Sequence, residues 1–243
     1  MSKLQVICIG EALIDKIINK SDSNFKNYLG GAPANVVCAL RKLEVPAAFI
    51  GCLGDDEYGR EFIRLFQQLN INIDFLQIAK QASTRIVKVM RDESGDRSFS
   101  GFEVTKSSSF ADEMLDKLLL NTNIKNLKKQ FLNTKYIVTG TNLLAFSQSA
   151  DALYFILNFA KSFRVKIIID VNWREIFWEN SNIDKDAKLK KVKKFLHHAD
   201  ILKLANEEAD LFFNTSDPSE ISKVLIKQPD VIITNGEKPI NWY

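Results

Sequence analysis

Cysteine and histidine are scarce in this sequence. Of its 243 residues, 3 are cysteine and 2 are histidine. Cys8, Cys38 and Cys52 each lie among apolar neighbours, and their odd number and wide spacing argue against a disulfide framework and against a metal site. Buried free thiols are typical of proteins in a reducing compartment. We therefore expect a cytoplasmic protein.

An excess of one charge and long apolar runs are also missing. The sequence has 33 Lys and Arg residues and 30 Asp and Glu residues, for a formal net charge of +3. This balance gives no electrostatic reason to expect nucleic acid or an anionic membrane as a partner. The one dense basic stretch, "KDAKLKKVKK" at 185–194, is typical of a solvated helix face. No apolar run approaches the length of a membrane span, and the "MSKLQVICIG" start contains no cleavage signal.

What the sequence does contain is a regular alternation of strand-like and helical segments. Runs such as "LQVICIG", "AAFIGCLG" and "VKIIIDVN" are separated by helical segments such as "DEYGREFIRLFQQL" and "SQSADALYFILNFAKSF". Nearly continuous β-branched strands between helices favour a parallel sheet that is covered on both faces. The sequence therefore predicts a doubly wound α/β fold. With no repeat and no low-complexity linker, residues 1–243 are expected to form a single domain.

One segment interrupts the alternation. "TRIVKVMRDESGDRSFSGF", residues 84–102, consists of two strand-like runs around a Glu-Ser-Gly-Asp turn, without a helix between them. A hairpin inserted into an α/β chain is often a lid over a ligand site. We therefore predict a small β lid that includes this segment.

Polar or glycine-rich clusters follow the predicted strands, where ligands bind in open parallel sheets. They are "GEALID", "LGGAPAN", "DVNWRE", "KLANEE" and "TNG". Each also has a simpler explanation: Gly30-Gly31 would be an ordinary tight turn, and Asp170 and Arg174 would form a structural ion pair. "GDDEYG" at 54–59 is most simply a helix start capped by aspartate.

Taken in order, these motifs resemble those of the ribokinase-like, or PfkB-type, carbohydrate kinases, and most closely the fructokinases. The resemblance rests on "GEALID", "GGAPAN", "GDDEYG", "GDRSF", "GTNLLA", "DVNWREIFW", "KLANEE" and "TNGEK". It implies the fold already predicted, with lid strands around residues 13–29 and 84–104. It also implies phosphoryl transfer from ATP, with Mg²⁺, to a primary hydroxyl of a small sugar such as fructose.

The resemblance assigns sugar binding to six positions. Asp15 would accept hydrogen bonds from sugar hydroxyls, and the lid would exclude water from the phosphoryl group. The six positions are Asp15, Gly30, Gly31, Asn35, Arg97 and Phe99.

The resemblance assigns nucleotide and phosphate binding to five further positions. Glu208 would also help to hold the water shell of Mg²⁺. The five positions are Asn172, Arg174, Glu208, Thr234 and Gly236.

No catalytic residue is assigned within the chain. The family's second signature, an Asp-Thr-x-Gly-Ala-Gly-Asp segment, does not occur in the sequence, which contains no glycine after Gly236. That segment supplies the general base and an anion hole. We therefore expect the general base to lie beyond Tyr243, and the chain alone to be an inactive, C-terminally truncated kinase.

Three interpretations follow from this expectation. The chain is a kinase completed by another segment, a non-catalytic sugar-binding or oligomer-forming module, or a non-functional remnant. The third is favoured by departures from the family pattern at Val37, Glu44, Ala205 and Pro239.

Overall fold

The apolar runs of the sequence form a central sheet. The computed structural model describes residues 3–19, 24–91, 97–103, 109–179 and 184–243, and the backbone alone at positions 19, 91, 97 and 98. Within these residues the sheet has seven strands, in the order β13-β12-β11-β10-β9-β1-β4. They are β1 (Val6–Ile9), β4 (Ala47–Ile50), β9 (Tyr136–Thr139), β10 (Lys166–Asp170), β11 (Ile201–Ala205), β12 (Asp230–Asn235) and β13 (Lys238–Trp242). Neighbouring strands are parallel except for the antiparallel pair of β12 and β13.

Helices cover both faces of this sheet. Strand side chains alternate between the faces, so that Ile7 and Ile9 of β1 belong to one hydrophobic core while Val6 and Cys8 belong to another. This arrangement confirms the predicted doubly wound α/β fold. The helices are α1 (Ala32–Lys42), α2 (Glu57–Gln68), α3 (Lys117–Thr122), α4 (Ile124–Phe131), α5 (Ser147–Ser162), α6 (Lys185–Leu196), α7 (Asn206–Phe213) and α8 (Pro218–Val224). Short 3₁₀ helices span Ala111–Met114, Asn142–Ala145 and Glu175–Trp178.

A second, smaller sheet is built from the segments around the predicted hairpin. Its strands are β2 (Leu13–Asn19), β3 (Phe25–Gly30), β7 (Ile86–Arg91) and β8 (Arg97–Phe102), in the order β3-β2-β7-β8. β7 and β8 are antiparallel, which confirms the predicted hairpin, although its turn at 92–96 lies outside the described residues. β2 and β3 form a second antiparallel pair, and β2 also pairs in parallel with β7, which joins the four strands into one sheet. The strands β5 (Cys52–Gly54) and β6 (Gln77–Ala79) form a separate parallel pair.

A buried ion pair attaches the small sheet to the body of the protein. Arg85 precedes β7, and its guanidinium donates hydrogen bonds at 2.8 Å to both carboxylate oxygens of Asp112 and to Glu113. The Arg85 and Asp112 side chains are each only 2% exposed. Four aromatic rings surround the guanidinium carbon at 4.1 to 5.2 Å, those of Phe102, Phe110, Phe146 and Phe177. Because the charges are paired and enclosed, the base of the small sheet is held in one position.

Several local predictions are confirmed. Asp56 caps α2 by accepting a hydrogen bond from the Gly59 N–H at 2.8 Å, as the "GDDEYG" pattern predicts. The cysteines are free thiols; Cys8 and Cys52 are buried as expected, whereas Cys38 is only half-buried. Within the described ranges, no helix combines the length and the apolar character needed to cross a membrane.

The residues after Gly236 return along β12 as the edge strand β13. The pairing extends to Tyr243, which exchanges two backbone hydrogen bonds of 3.0 Å with Val231. The outer face of this edge is open, since the Trp242 side chain is 73% exposed and that of Tyr243 is 56% exposed. The last residues of the sequence are therefore an ordered part of the large sheet.

Candidate active site

The carboxyl ends of the parallel strands lie along one edge of the large sheet, and the polar clusters of the sequence meet there. We divide this edge into a β1 side, residues 10–15 and 30–35, and a β11 side, residues 170–174, 205–208 and 234–236. The small sheet adjoins the β1 side through β2 and β3, because β3 leads directly into α1. The predicted site residues are therefore distributed over two neighbouring groups.

Asp15 lies on β2 next to the double glycine. The register of β2 and β3 pairs Leu13 with Gly30 and Asp15 with Tyr28. A Cβ atom at Gly30 would collide with Oδ2 of Asp15. Any larger residue at position 30 would push the half-buried Asp15 carboxylate out of its present position, so glycine allows this placement of Asp15.

Gly31 forms the turn into α1. Its φ is +98°, and a Cβ atom there would lie 2.5 Å from the carbonyl oxygen of Glu11. Both the conformation and the space favour glycine. Asn35, in the first turn of α1, is exposed, and its backbone N–H donates to the Gly31 carbonyl at 2.8 Å. The turn thus consists of two buried glycines packed against Asp15 and Glu11, with the exposed side chain of Asn35 one turn further along α1.

A buried carboxylate lies behind this turn, at a position for which sequence analysis assigned no role. Glu11, directly after β1, is 2% exposed. Its Oε1 accepts hydrogen bonds from the Ala32 N–H at 3.3 Å and from Nδ2 of Asn142 at 3.1 Å. Burial raises the pKa of Glu11 to about 7. The available signal was the glutamate that follows a buried strand in "GEALID".

Phe99 and Arg174 connect the small sheet to the end of β10. The guanidinium carbon of Arg174 lies 5.0 Å from the centre of the Phe99 ring, within the range of a cation–π contact. A cavity of about 400 Å³ adjoins this contact; it is lined by Phe99, Trp173, Arg174, Glu175, Ile176 and Glu179. The side chain of Arg97, the other residue predicted on this hairpin, lies outside the described residues.

Glu208 links the ends of β10 and β11. Its Oε1 accepts the Trp173 N–H at 2.6 Å and its Oε2 accepts the Ala205 N–H at 2.8 Å. The turn before Trp173 places Asn172 at φ 40°, a left-handed conformation that asparagine tolerates. Burial raises the pKa of Glu208, while the two backbone donors lower it. The carboxylate therefore fixes the backbone of the "DVNWRE" turn.

The ion-pair explanation for Asp170 and Arg174 is wrong. Oδ1 of Asp170 pairs instead with Nζ of Lys203 at 3.0 Å. Arg174 donates from Nη1 to the Trp173 carbonyl at 2.9 Å and contacts Phe99. Arg174 is half-buried at the sheet edge, where it lines the cavity.

Thr234 and Gly236 lie one strand further along the edge. The Thr234 hydroxyl donates to the Leu204 carbonyl at 3.3 Å. Gly236 has a φ of +52° and no atom within 4 Å of the position a Cβ would occupy. These two residues border open space, and the contacts that the structure gives Thr234 are to β11.

The general base that we expect beyond Tyr243 stays a prediction, because no contact of the described residues tests it. Tyr243 itself takes no part in the site. It follows β13 at the outer edge of the large sheet, and its backbone bonds join it to Val231, at the start of β12 rather than at the carboxyl end. The β1 and β11 sides thus contain the residues that are predicted to bind sugar and nucleotide, and no catalytic base is assigned on either.

The described residues contain no group of three or more His, Cys, Asp or Glu side chains that could hold a metal ion. Asp170 nevertheless acts on Glu208 electrostatically, which shows that two carboxylates approach each other on the β11 side. Two nearby carboxylates with bound partners fit a hydrated Mg²⁺ that is carried by phosphate oxygens and water. They do not fit an all-protein cage.

The large, mostly parallel sheet between helices and the smaller sheet beside it define a ribokinase-like α/β protein. The sequence identifies the family more closely. Residues 3–243 match the pfkB family carbohydrate kinases, and the chain belongs to that family.

Two curated relatives are plant enzymes. The chain is 29% identical over 248 residues to probable fructokinase-5 of Arabidopsis thaliana, across 98% of this chain and 72% of the relative. It is 27% identical over 248 residues to fructokinase-2 of Zea mays, across 98% and 70%.

Solved structures of fructokinases are also similar to this chain. A fructokinase from Xylella fastidiosa superimposes with a TM-score of 0.80 at 25% identity, covering 99% of this chain and 75% of that chain. The structure of a Xylella fastidiosa fructokinase with bound ATP gives a TM-score of 0.78 at 25% identity, covering 100% and 75%.

Proposed function

We propose that this chain is a polypeptide of a fructokinase-like sugar kinase. The reaction is the transfer of the ATP γ-phosphoryl group to a primary hydroxyl of a small sugar, with fructose as the first candidate. The observation that carries the proposal is the close contact between the half-buried Asp15 carboxylate and the side-chain-free Gly30, beside the Gly31 turn. The fructokinase relatives support the choice of sugar.

On the β1 side, the residues have the chemistry to bind a polyol. The Asp15 carboxylate would accept hydrogen bonds from two sugar hydroxyls, since an ionised carboxylate has several acceptor sites. Gly30 and Gly31 would let the sugar approach the backbone, and the exposed amide of Asn35 would donate to or accept from a further hydroxyl. Together these groups would orient the primary hydroxyl toward the β11 side.

The small sheet would act as the lid. Phe99 and Arg174 already meet at 5.0 Å across the gap between the sheets. We propose that Phe99, with Arg97, closes over the sugar and excludes water, which would otherwise accept the phosphoryl group.

The β11 side would bind the phosphates. Arg174 would neutralise phosphate charge, Asn172 would donate from its amide, and the open backbone at Thr234 and Gly236 would begin the nucleotide site. Mg²⁺, when bound with ATP, neutralises charge on the transferring phosphoryl group. Glu208 would contact its water shell while it keeps the Trp173 N–H in place.

We further propose that the 243-residue polypeptide alone has no measurable kinase turnover. Its sequence contains no Gly-Ala-Gly-Asp segment. General-base catalysis contributes roughly 10²–10⁴-fold and an oxyanion-type donor about 10²–10³-fold, so the loss of both leaves little. A sugar-binding role without catalysis is the second candidate, and the Asp15–Gly30 fit supports it equally.

The proposed site is tested by calorimetric titration of the folded chain with fructose. We expect wild-type protein to bind and Asp15→Asn to bind at least about tenfold more weakly, because a charged acceptor is replaced by a neutral amide. Asp151→Asn, an exposed aspartate of α5, is the control and should match wild type. Equal affinities in all three proteins would contradict the assigned pocket. Turnover in a coupled assay that Asp15→Asn abolishes would contradict the proposed inactivity.

A further inference from the structure

Two buried polar atoms behind the double-glycine turn have no hydrogen-bond partner within the described residues. They are Oε2 of Glu11 and Oδ1 of Asn142. Both side chains are at most 3% exposed, and the two groups are already joined through Nδ2 of Asn142 and Oε1 of Glu11 at 3.1 Å. Unsatisfied buried polar atoms are costly, and two on one pair of contacting groups require an explanation.

A single proton would satisfy both atoms. The carboxyl group of Glu11 and the amide of Asn142 are planar, and one edge of each is used by the existing bond. A proton on Oε2 would be a donor for Oδ1 of Asn142, which would give an acid–amide pair with two hydrogen bonds. An ionised Glu11 would instead leave a buried oxygen with charge and no donor.

The turn depends on this carboxyl group. Gly31 is the N-cap position of α1 and has no side chain with which to cap the helix. The Ala32 N–H, one of the first donors of α1, therefore bonds to Oε1 of Glu11 at 3.3 Å. Glu11 lies 20 residues before Gly31 in the sequence. Through Asn142 it holds the turn against the 3₁₀ helix Asn142–Ala145, which follows β9.

We propose that Glu11 is the positioning residue of the double-glycine turn, and that it holds the turn closed as an uncharged acid paired with Asn142. Raising the pH would ionise Glu11 and favour an open turn in which water reaches the carboxylate. A polyol that requires the closed turn would then bind more weakly at high pH. This last consequence rests on the proposed function.

The surrounding charges agree with this assignment. Asp112, in the 3₁₀ helix Ala111–Met114, acts on Glu11 electrostatically and raises its pKa, in addition to the larger effect of burial. Asp112 is itself paired with Arg85 at 2.8 Å. No basic side chain bonds to Glu11 among the residues that the structure describes, so nothing there stabilises its charged form by ion pairing.

The test is hydrogen–deuterium exchange at the Ala32 amide between about pH 6 and about pH 8.5, corrected for intrinsic exchange. With a pKa of about 7 in the closed turn and 4.5 when solvated, protection should fall about tenfold across this range. In Glu11→Gln the amide imitates the protonated acid, so protection should not change with pH. Glu57→Gln, at an exposed position in the first turn of α2, is the control and should respond like wild type.

Calorimetric titration with fructose at the same two pH values measures how the affinity for the sugar changes with pH. Wild type should bind more tightly at the lower pH, and Glu11→Gln should bind equally at both. Constant protection in wild type would overturn the proposal, even if Glu11→Gln failed to fold, and so would a Glu11→Gln response identical to wild type. If the exchange profile is as expected but fructose does not bind, the proposed function is refuted and the proposed role of Glu11 still stands.

Discussion

The β1 side and the β11 side each contain a buried glutamate, but the two carboxylates are satisfied differently. On the β11 side, each oxygen of Glu208 accepts a backbone N–H, at 2.6 and 2.8 Å. On the β1 side, Glu11 concentrates two donors on one oxygen and leaves the other without a partner among the described residues. Burial raises the pKa of both groups. Both carboxylates are buried, but Glu208 holds two backbone segments in place, whereas the contact between Glu11 and Asn142 depends on whether Glu11 carries a proton.

Two ion pairs, one at the base of the small sheet and one on the β11 side, also differ in their exposure. Arg85 and Asp112, at the base of the small sheet, are each 2% exposed. Lys203 and Asp170, on the β11 side, are 36% and 28% exposed. The base of the small sheet thus depends on an enclosed ion pair, whereas the ion pair on the β11 side is partly accessible to water.

Breaking each of these two ion pairs gives the largest expected contrast. Arg85→Met leaves the buried Asp112 and the partly buried Glu113 without their partner, so we expect a loss of about 3 to 5 kcal/mol in the free energy of unfolding. Lys203→Met should cost less, about 1 kcal/mol, because the Asp170 side chain is 28% exposed and water partly screens its charge, although its Oδ1 is buried. Urea denaturation followed by circular dichroism measures both. Losses of similar size would show that the two pairs do not differ in the way their exposure indicates.

The sequence was sufficient for the fold because the signals involved are local. Apolar runs such as "KIIID" and the glycine turns follow from periodicity and turn chemistry, and they placed β10, α1 and the β7–β8 hairpin correctly. The Asp56 cap was predictable for the same reason. Asp15 and the double glycine could be predicted as site residues because they occur in recognisable motifs at strand ends, and their role stays a prediction.

The pairings between distant segments were not predictable. Glu11 and Asn142 are 131 residues apart, and Arg85 meets Asp112 only because the small sheet folds onto the 3₁₀ helix Ala111–Met114. The Asp170–Arg174 ion pair looked reasonable at a spacing of four residues. The structure replaced it with Lys203 because β10 and β11 are adjacent and parallel, with Asp170 and Lys203 in register. Such contacts depend on strand order, which no short motif specifies.

Glu208→Gln tests the backbone clamp, and we expect a loss of about 2 to 3 kcal/mol in stability at pH 8. Glutamine has one acceptor oxygen, so its amide nitrogen would face either the Trp173 or the Ala205 N–H and leave that donor unsatisfied. Glu207→Gln, on the exposed face of the same helix turn, is the matched control and should change stability by less than about 0.5 kcal/mol. Equal urea midpoints for the two variants would refute the clamp.

Glu11→Gln should change stability in the opposite direction to Glu208→Gln at the same pH, and by a smaller amount. The pKa of Glu11 is about 7 in the folded protein against an ordinary 4.5, so the folded state retains a proton that the unfolded chain has released. The stability that this proton contributes is complete below pH 4.5 and is lost as the pH rises through 7.

At pH 8, wild type would therefore contain a buried carboxylate whose Oε2 has no donor, whereas the new amide of the Glu11→Gln variant would donate to Oδ1 of Asn142 without any charge. We expect Glu11→Gln to be more stable than wild type by about 1 to 2 kcal/mol at pH 8, which is less than the full shift in pKa would give because the pocket relaxes around an ionised group. Near pH 5 the two proteins should be nearly equal, since wild type is then protonated. Urea unfolding at both pH values measures the difference. A Glu11→Gln protein less stable than wild type at pH 8 would mean that the ionised carboxylate finds a partner, and that the β1 side is clamped in the same way as the β11 side.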